Sequence, residues 1–424
     1  MSRKRITRRT FNKGLLAAGA AFTIVPRHVL GGPGHTPPSE ELTKAIIGVG
    51  WMGKGHIPYP GARLLAVCDV DQQHLDETLG LEGVDKDVKG YRDFREVLAR
   101  PDIDIIHIAT PPHWHGVMSV MAAEAGKDIW CEKPMTRTIG EGAKVVEAVQ
   151  RNGRIFRLNT WFRFRSNFYG FGTTVQPIKK LVDSGLLGRP LRVYLGESTG
   201  FGMKSRWAGL THMPPEPVPN HFDYDFWLGP APYRPYFKHR THLTFRGYWD
   251  YDGGGLGDMG QHYLDPVQYI LGKDDTSPVE IEADTPQQHD DAVSSWRSIR
   301  MKYADGDELI LDGGPDTGND LYMEGPNGKL FRGFRSDIPN LKEKLAEFPD
   351  PKPQVTDFAE AVRNRQKFTL NEANGHRSCT IVNLGKIALR LRRKLRFDPV
   401  KQQFIDDEQA NRLIHQPMRS PWQI

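Results

Sequence analysis

Ala45-Ile46-Ile47-Gly48-Val49-Gly50-Trp51-Met52-Gly53 is followed, nineteen residues after Gly50, by Asp69, which closes a second apolar run, Leu64-Leu65-Ala66-Val67-Cys68. Each apolar run has the length and content of a strand buried in a parallel sheet, so the glycines and the acid both fall at strand ends. The spacing is that of a dinucleotide site. Gly48 permits a tight turn, Gly50 lets the backbone approach a pyrophosphate, Gly53 lets the following helix pack closely, and that helix presents N–H groups to the anion. Trp51 and Met52 belong to the same turn. A carboxylate at Asp69 accepts hydrogen bonds from both ribose hydroxyls and repels a 2′-phosphate, which favours NAD over NADP. The competing reading of the glycines alone is a glycine-rich surface loop, and the strand before them and the acid after them argue against it.

Short apolar runs and helical stretches alternate from here to about residue 156. Leu64–Cys68, Ile103–Ala109, Asp128–Cys131 and Arg154–Leu158 read as strands, with helices at Tyr91–Ala99, Gly116–Ala125 and Glu141–Asn152. This predicts a doubly wound α/β domain over residues 43–157. After residue 158 the texture changes to Gly-, Pro- and aromatic-rich connections. A helix at Ile178–Ser184, strands at Leu191–Glu197, Val279–Ala283, Ala292–Tyr303, Glu308–Gly313 and Asp320–Glu324, and helices at Val355–Arg363 and Ser378–Lys394 predict a second α+β domain. Its sheet reads as mainly antiparallel, and Glu408–Ile424 reads as a tail. Residues 200–255 have no clear period, and a connection of that length is usually functional.

The N-terminus is different again. Of 57 basic residues, seven lie in the first thirty, where there is no acid, leaving 50 basic against 52 acidic, a net charge of −2. The overall basicity therefore belongs to the leader, and nothing points to nucleic acid. Thr7-Arg8-Arg9-Thr10-Phe11-Asn12-Lys13, followed by the uncharged stretch Gly14 to Val25, resembles a twin-arginine export signal. The uncharged stretch falls short of the ~20 residues of a bilayer span. Residues 1–32 are read as leader and 33–42 as linker, with a periplasmic or cell-envelope destination reached through the twin-arginine machinery. The competing reading is an N-terminal helix with a basic cap. Cys68, Cys131 and Cys379 have no metal-type spacing and read as isolated thiols, and no metal site is expected.

Three further groups of residues carry chemistry. Cys131-Glu132-Lys133-Pro134 ends a predicted strand, placing Lys133 in the crevice where such folds bind ligands and where an ammonium can polarise a substrate oxygen. Thr110-Pro111-Pro112-His113-Trp114-His115 ends another, with Trp114 a candidate to pack on nicotinamide or substrate. Asp258-Met259-Gly260-Gln261-His262 brings Asp258 and His262 onto one helical face. His262 there can accept a hydroxyl proton while Asp258 orients it. The alternatives are a helix cap by Asp258 and a satisfied core histidine. Pro266 cannot donate to the carbonyl of His262, so the helix either begins near His262 or kinks there. Trp161, Arg163, Arg165, Trp207, Trp227, Tyr248 and Trp249 are of types that suit a sugar site, although most tryptophans are core.

Together these segments resemble the glucose-fructose oxidoreductase, inositol dehydrogenase and rhizopine-catabolism (Gfo/Idh/MocA) family. The resemblance rests on the glycine turn, Cys68-Asp69-Val70-Asp71, Thr110-Pro111-Pro112, Glu132-Lys133-Pro134 and Gly257-Asp258-Met259-Gly260-Gln261-His262. Phe226-Trp227-Leu228-Gly229-Pro230, His376-Arg377-Ser378 and Pro417-Met418-Arg419 resemble its exported bacterial branch. Trp51 departs from the small residue common at that place. The resemblance implies a Rossmann domain followed by an open-faced sheet domain, pairing into dimers or tetramers. It implies a catalytic group of Lys133, Asp258 and His262. NAD contacts fall on Gly48, Gly50, Trp51, Met52, Gly53, Asp69, Thr110, Pro111, Pro112, His115, Glu132 and Lys133. Substrate contacts fall on Lys133, Trp161, Arg163, Arg165, Asp258 and His262. The expected activity is hydride transfer between nicotinamide and a secondary alcohol of a sugar or glycoside. Its rivals are a redox-neutral lyase, glycosidase or epimerase that retains NAD and works through a transient keto sugar, and a non-catalytic sugar-binding protein.

Overall fold

Ala45, Ile46 and Ile47 are buried on both faces of a strand, which is why they read as an unbroken apolar run. This strand, β1 (Thr43–Ile47), lies between β2 (Arg63–Cys68) and β4 (Ile105–Ile108), parallel to both. With β3 (Lys89–Tyr91), β5 (Asp128–Glu132) and β6 (Phe156–Asn159) it makes a six-stranded parallel sheet in the order β3-β2-β1-β4-β5-β6. The chain runs outward from β1 through β2 to β3 and then crosses back to β4 on the other side of β1, so the C-terminal ends of β1 and β4 frame the crevice in which this fold binds nucleotides. The computed structural model describes residues 41–168, 172–196, 207–312 and 320–424. The leader and most of the linker lie outside them, and the architecture here concerns the unit Leu42–Ile424.

Two helices begin elsewhere than their apolar spacing suggests. The helix expected at Gly116 starts at Pro112, because proline at a first helical position loses no hydrogen bond and has its φ already set. Tyr91 ends β3 rather than opening a helix. The helix starts at Phe94, after Asp93 accepts a cap hydrogen bond of 2.9 Å from the Arg95 N–H.

The second sheet holds β7 (Arg192–Leu195), β8 (Glu280–Asp284), β9 (Ser298–Lys302), β10 (Glu308–Leu311), β11 (Leu321–Gly325), β12 (Gly328–Phe331), β13 (Arg335–Ser336), β14 (Leu395–Asp398) and β15 (Gln403–Phe404). Among the described residues its order is β13-β12-β11-β7-β10-β9-β8-β14-β15, and only the β7–β10 pair is parallel. In β9, Ile299 and Met301 are buried while Arg300 and Lys302 are exposed, the alternation of a sheet covered on one side. The cover is Val175–Asp183, Gly254–Leu271 and Glu372–Leu391, whose apolar residues share one core with Ile281, Ile299, Met301 and Leu309. The helix of Glu372–Leu391 begins six residues before the expected Ser378 because Asn371 caps it, accepting from the Ala373 and Asn374 N–H groups. Asp258 and His262 both lie in the continuous helix Gly254–Leu271, with Pro266 inside it, so the segment starts well before His262.

Arg163 belongs to the core and not to a sugar site. Its guanidinium donates to Asp265 (Nε to Oδ2, 2.9 Å; Nη2 to Oδ1, 2.9 Å) and to Asp274 (Nη1 to Oδ2, 3.0 Å; Nη2 to Oδ1, 2.9 Å). Arg163 and Asp265 are almost wholly excluded from solvent, so the pair ties the turn Trp161–Phe164 to the long helix. Removing one partner strands a buried charge. Arg163→Ala is therefore expected to cost about 3–5 kcal/mol in urea unfolding, and a loss below ~1 kcal/mol would show that the pair is not structural.

Candidate active site

At the end of β1 the Gly48 N–H donates to the Cys68 carbonyl at 2.8 Å and the chain turns with φ +85°. A Cβ on Gly48 would sit 2.8 Å from the Ala109 carbonyl carbon and the Thr110 nitrogen, and one on Gly53 would sit 1.8 Å from the Gly48 oxygen. Both positions are closed to any side chain. Gly50 is different: a Cβ there meets nothing closer than the His74 ring at 3.5 Å, so the space kept free is space for a ligand. The helix that follows is a single turn, Trp51–Lys54, and the Trp51 side chain stands out from the surface.

Asp69 is held by the turn it serves. Its Oδ2 accepts from the Val49 N–H at 2.9 Å and its Oδ1 from the Asp71 N–H at 2.9 Å. Oδ1 keeps a lone pair for a ribose hydroxyl, while Oδ2 also faces His74 Nδ1 at 3.4 Å. The carboxylate faces a cavity of about 620 Å³, within the usual range for cofactor sites. Gly48, Gly50, Trp51, Met52, Thr110 and Pro111 form one wall, and Trp207, Phe245 and Arg246 form part of the other. The donors, the volume and the unfilled space at Gly50 fit NAD. Trp114 also lines this cavity, with its Nε1–H donating to the Trp227 carbonyl at 2.9 Å.

Met52, Thr110, Phe245 and Arg246 also border a smaller chamber lined by Pro112, Glu132, Lys133, Asp252 and Asp258. Lys133 Nζ donates to the Asp258 carbonyl at 2.8 Å and to Asp258 Oδ1 at 2.9 Å. Arg246 Nε donates to the same Oδ1 at 2.8 Å, and Trp207 Nε1–H to Oδ2 at 2.9 Å. Burial works to raise the Asp258 carboxyl, but Lys133 and Arg246 outweigh it and hold the group well below the usual carboxylate range. Glu132 is buried, accepting from Asn159 Nδ2 at 2.6 Å with His56 Nε2 at 2.8 Å. Against the cost of burial, His56 and Lys133 hold it down at about 2. Asp252 is the opposite case. Among the described residues neither of its oxygens has a hydrogen-bond partner, and burial together with neighbouring Asp258 pushes it up to about 7.

His262 does not take its orientation from Asp258. Its Nδ1 lies 3.0 Å from Thr160 Oγ1, and its ring stacks on Phe162 with centroids 4.5 Å apart and planes 11° from parallel. The Asp258 carboxylate is engaged instead by Lys133, Arg246 and Trp207, so sharing a helical face does not make the two side chains partners. Burial, reinforced by Lys133, pushes the His262 imidazole down to about 3. Trp161 stands 6.0 Å from His262, ring to ring, and the Arg165 guanidinium lies 3.9 Å above the Trp161 ring. That pair flanks the site while Arg163 points inward. His115 is buried, with Nδ1 2.7 Å from the Pro134 carbonyl oxygen and Nε2 2.7 Å from that of Thr110. It braces two turns against each other and does not face the cofactor cavity. Tyr248 and Trp249 are core residues, and Trp227, also buried, lines the cofactor cavity. Arg246, Asp252, Thr160 and Phe162 escaped the sequence reading, because Arg246 and Asp252 lie in the aperiodic stretch and Thr160 and Phe162 in no motif.

The chain matches the description "Oxidoreductase family, NAD-binding Rossmann fold" over residues 42–160 and "Oxidoreductase family, C-terminal alpha/beta domain" over residues 171–424, both of Gfo/Idh/MocA type. It belongs to the Gfo/Idh/MocA oxidoreductase family. Among curated members, a glycosyl hydrolase family 109 protein of Shewanella pealeana is 31% identical over 35% of this chain and 38% of its own length. The levoglucosan dehydrogenase of Pseudarthrobacter phenanthrenivorans is 30% identical over 55% of this chain and 52% of its own. The matches thus span about half or less of these relatives. The WlbA dehydrogenase of Bordetella pertussis, solved with NADH and UDP-GlcNAcA, shares the fold, with a TM-score of 0.58 at 17% identity over 84% of this chain and 99% of the other. The six-stranded Rossmann sheet and the mainly antiparallel second sheet are accordingly the Gfo/Idh/MocA fold, and the first domain is an NAD-binding one.

The His262 environment fixes a sign that can be measured. An unfolded histidine takes its proton near 6.5 and this one only near 3, so the unfolded chain binds more protons between those values. The stability contributed by keeping His262 neutral is present above about 6.5 and is lost as pH falls towards about 3. In ¹⁵N NMR of the folded protein the His262 ring should stay neutral from pH 8 down to pH 5, and a titration midpoint near its ordinary value would overturn this account.

Proposed function

We propose that this chain is an exported NAD-dependent oxidoreductase that oxidises a secondary alcohol of a sugar or glycoside to a ketone, or runs the reverse reaction. The observation carrying this reading is the Lys133–Asp258 ion pair in a chamber that borders the nucleotide-sized cavity, with His262 buried one helical turn from Asp258 and its imidazole pushed towards the neutral form by burial and Lys133. When bound, the nicotinamide supplies the carbon that accepts the hydride. The hydroxyl proton passes to His262 as the carbinol C–H bond breaks with its electron pair and the C=O bond forms. Lys133 has three N–H donors and gives two to Asp258, so among the described residues the third is left to steady the substrate oxygen. Asp258 positions Lys133, and Trp161 with Arg165 offers a flat apolar face with a charged rim for a sugar ring. Glu132, His115 and the prolines at 111 and 112 hold the two turns in register.

The resemblance to a levoglucosan dehydrogenase supports a sugar substrate. The match to a glycosyl hydrolase family 109 protein supports the redox-neutral reading, in which the hydride returns after elimination or epimerisation. Net formation of a keto sugar separates the two. The Thr7–Lys13 signal supports export to the periplasm or cell envelope by the twin-arginine machinery.

Lys133→Ala and His262→Ala are each expected to lower turnover by at least about a hundredfold with NAD still bound, since a placed acid–base group contributes that much. Near-normal turnover in either variant removes that residue from the mechanism. Asp69→Ala should relax the preference for NAD, and wild-type protein that binds NADP more tightly than NAD contradicts the role given to Asp69.

A further inference from the structure

Beyond the catalytic chamber, three imidazoles and two carboxylates gather at the outer rim of the cofactor cavity. The segment around Phe222 lies along the exit of β2: Phe222 bridges Asp71, the Gln72 N–H donates to the His221 carbonyl at 2.9 Å, and the Asp223 N–H donates to the Val70 carbonyl at 3.1 Å. This brings His221 and His242 onto Asp71 and His74. Asp71 Oδ1 is occupied, accepting the Gln73 N–H at 2.9 Å with His221 Nδ1 also at 2.9 Å. Its Oδ2 faces His242 Nε2 at 3.3 Å, longer than the usual hydrogen bond. The His74 and His242 rings lie 5.0 Å apart, and one ligand atom from each of Asp71, His74 and His242 falls within 4.8 Å of the others.

We propose that Asp71, His74 and His242 form a binding site for a divalent transition metal of the zinc class. Two imidazoles and a carboxylate suit zinc or cobalt, whereas calcium and magnesium require oxygen ligands. Tetrahedral zinc with bonds of about 2.0–2.1 Å holds its ligand atoms roughly 3.3–3.4 Å apart. The Asp71–His242 separation already has that length, and His74, half-buried and within 4.8 Å of both, would need a small movement that keeps its Asp69 contact to complete the set. Both inner ligands are also backed in the manner of metal sites. His221 steadies the Asp71 carboxylate from its other oxygen, and Asp69 Oδ2 lies 3.4 Å from His74 Nδ1, leaving Nε2 for the ion. The fourth position is left to water or a small ligand. His242 opens the turn His242–Gly247, which carries the cavity residues Phe245 and Arg246. A bound ion would therefore fasten that turn to the nucleotide domain. The site does not depend on which reaction the chain catalyses.

The test uses the full chain without a histidine tag, stripped with chelator and titrated with zinc by calorimetry and with cobalt by visible absorption. The expected result is one equivalent of each metal and the absorption of four-coordinate cobalt. His74→Ala combined with His242→Asn should abolish the saturable equivalent, and asparagine tolerates the left-handed backbone of residue 242, where φ is +51°. His221→Ala should keep one equivalent at about tenfold lower affinity, as expected of a group that holds a ligand. Absence of saturable binding to the wild type overturns the site, as does an unchanged equivalent in the double variant. Circular dichroism without metal checks the double variant's fold, and if that fails, His242→Asn alone must weaken binding at least tenfold or the site is wrong.

Discussion

The bond from Lys133 Nζ to Asp258 joins the end of a Rossmann strand to the long helix that covers the second sheet, and the reaction site depends on it. Removing two charges from water costs several kcal/mol per ion, and a lone buried pair often fails to recover that. Here the desolvation is offset by supplying Asp258 with more donors than a simple pair would have. Lys133 gives two hydrogen bonds, Arg246 a third and the Trp207 indole a fourth. The consequence is geometric as well as energetic. Lys133 cannot swing to another rotamer without leaving a carboxylate buried beside fewer donors, so its remaining N–H has a fixed direction.

The same low-polarity surroundings give chemically similar groups different protonation states. Glu132 and Asp252 are both buried carboxylic acids lining one chamber, yet Glu132 is held at about 2 and Asp252 pushed up to about 7. The difference is partners: Glu132 has His56 and Asn159, whereas Asp252 has none among the described residues and faces Asp258. His262, buried near Lys133 and given only a hydroxyl and an aromatic face, is driven to the neutral form. A proton acceptor must start neutral, and burial together with the Lys133 cation keeps this imidazole so.

Much of this was legible in the residues. The strands around the glycine turn could be read because parallel strands buried on both faces are largely apolar, as Ala45–Ile47 is throughout and Ile105–Ile108 is apart from His107. Lys133 and Asp258 could be read because turns at strand ends and glycine-rich helix starts are short and local. Partnership between distant segments was not legible. Arg163 and Arg165 sit two residues apart with the same chemistry, and only the position of Asp265 decides that the first is core and the second is surface. The early helix starts at Pro112 and Glu372 were hidden by proline and glycine, which weaken a periodic signal while being acceptable where they stand.

Arg246 and His242 illustrate the remaining difficulty and also what resolves it. Both lie in a stretch with neither helical nor strand period, because its residues answer to partners on other segments: Arg246 to Asp258 and His242 to Asp71. Short helical turns keep the intervening backbone hydrogen-bonded, with few apolar residues left to reveal a pattern. The aromatic cluster beneath, Phe222, Tyr224, Trp227, Phe245 and Tyr248, supplies the burial that a regular element would otherwise provide. From residue 207 onward the stretch is thus a folded wall of the cofactor cavity, anchored by Trp207, His242 and Arg246 and built on aromatic packing, and its lack of period is the trace of that construction.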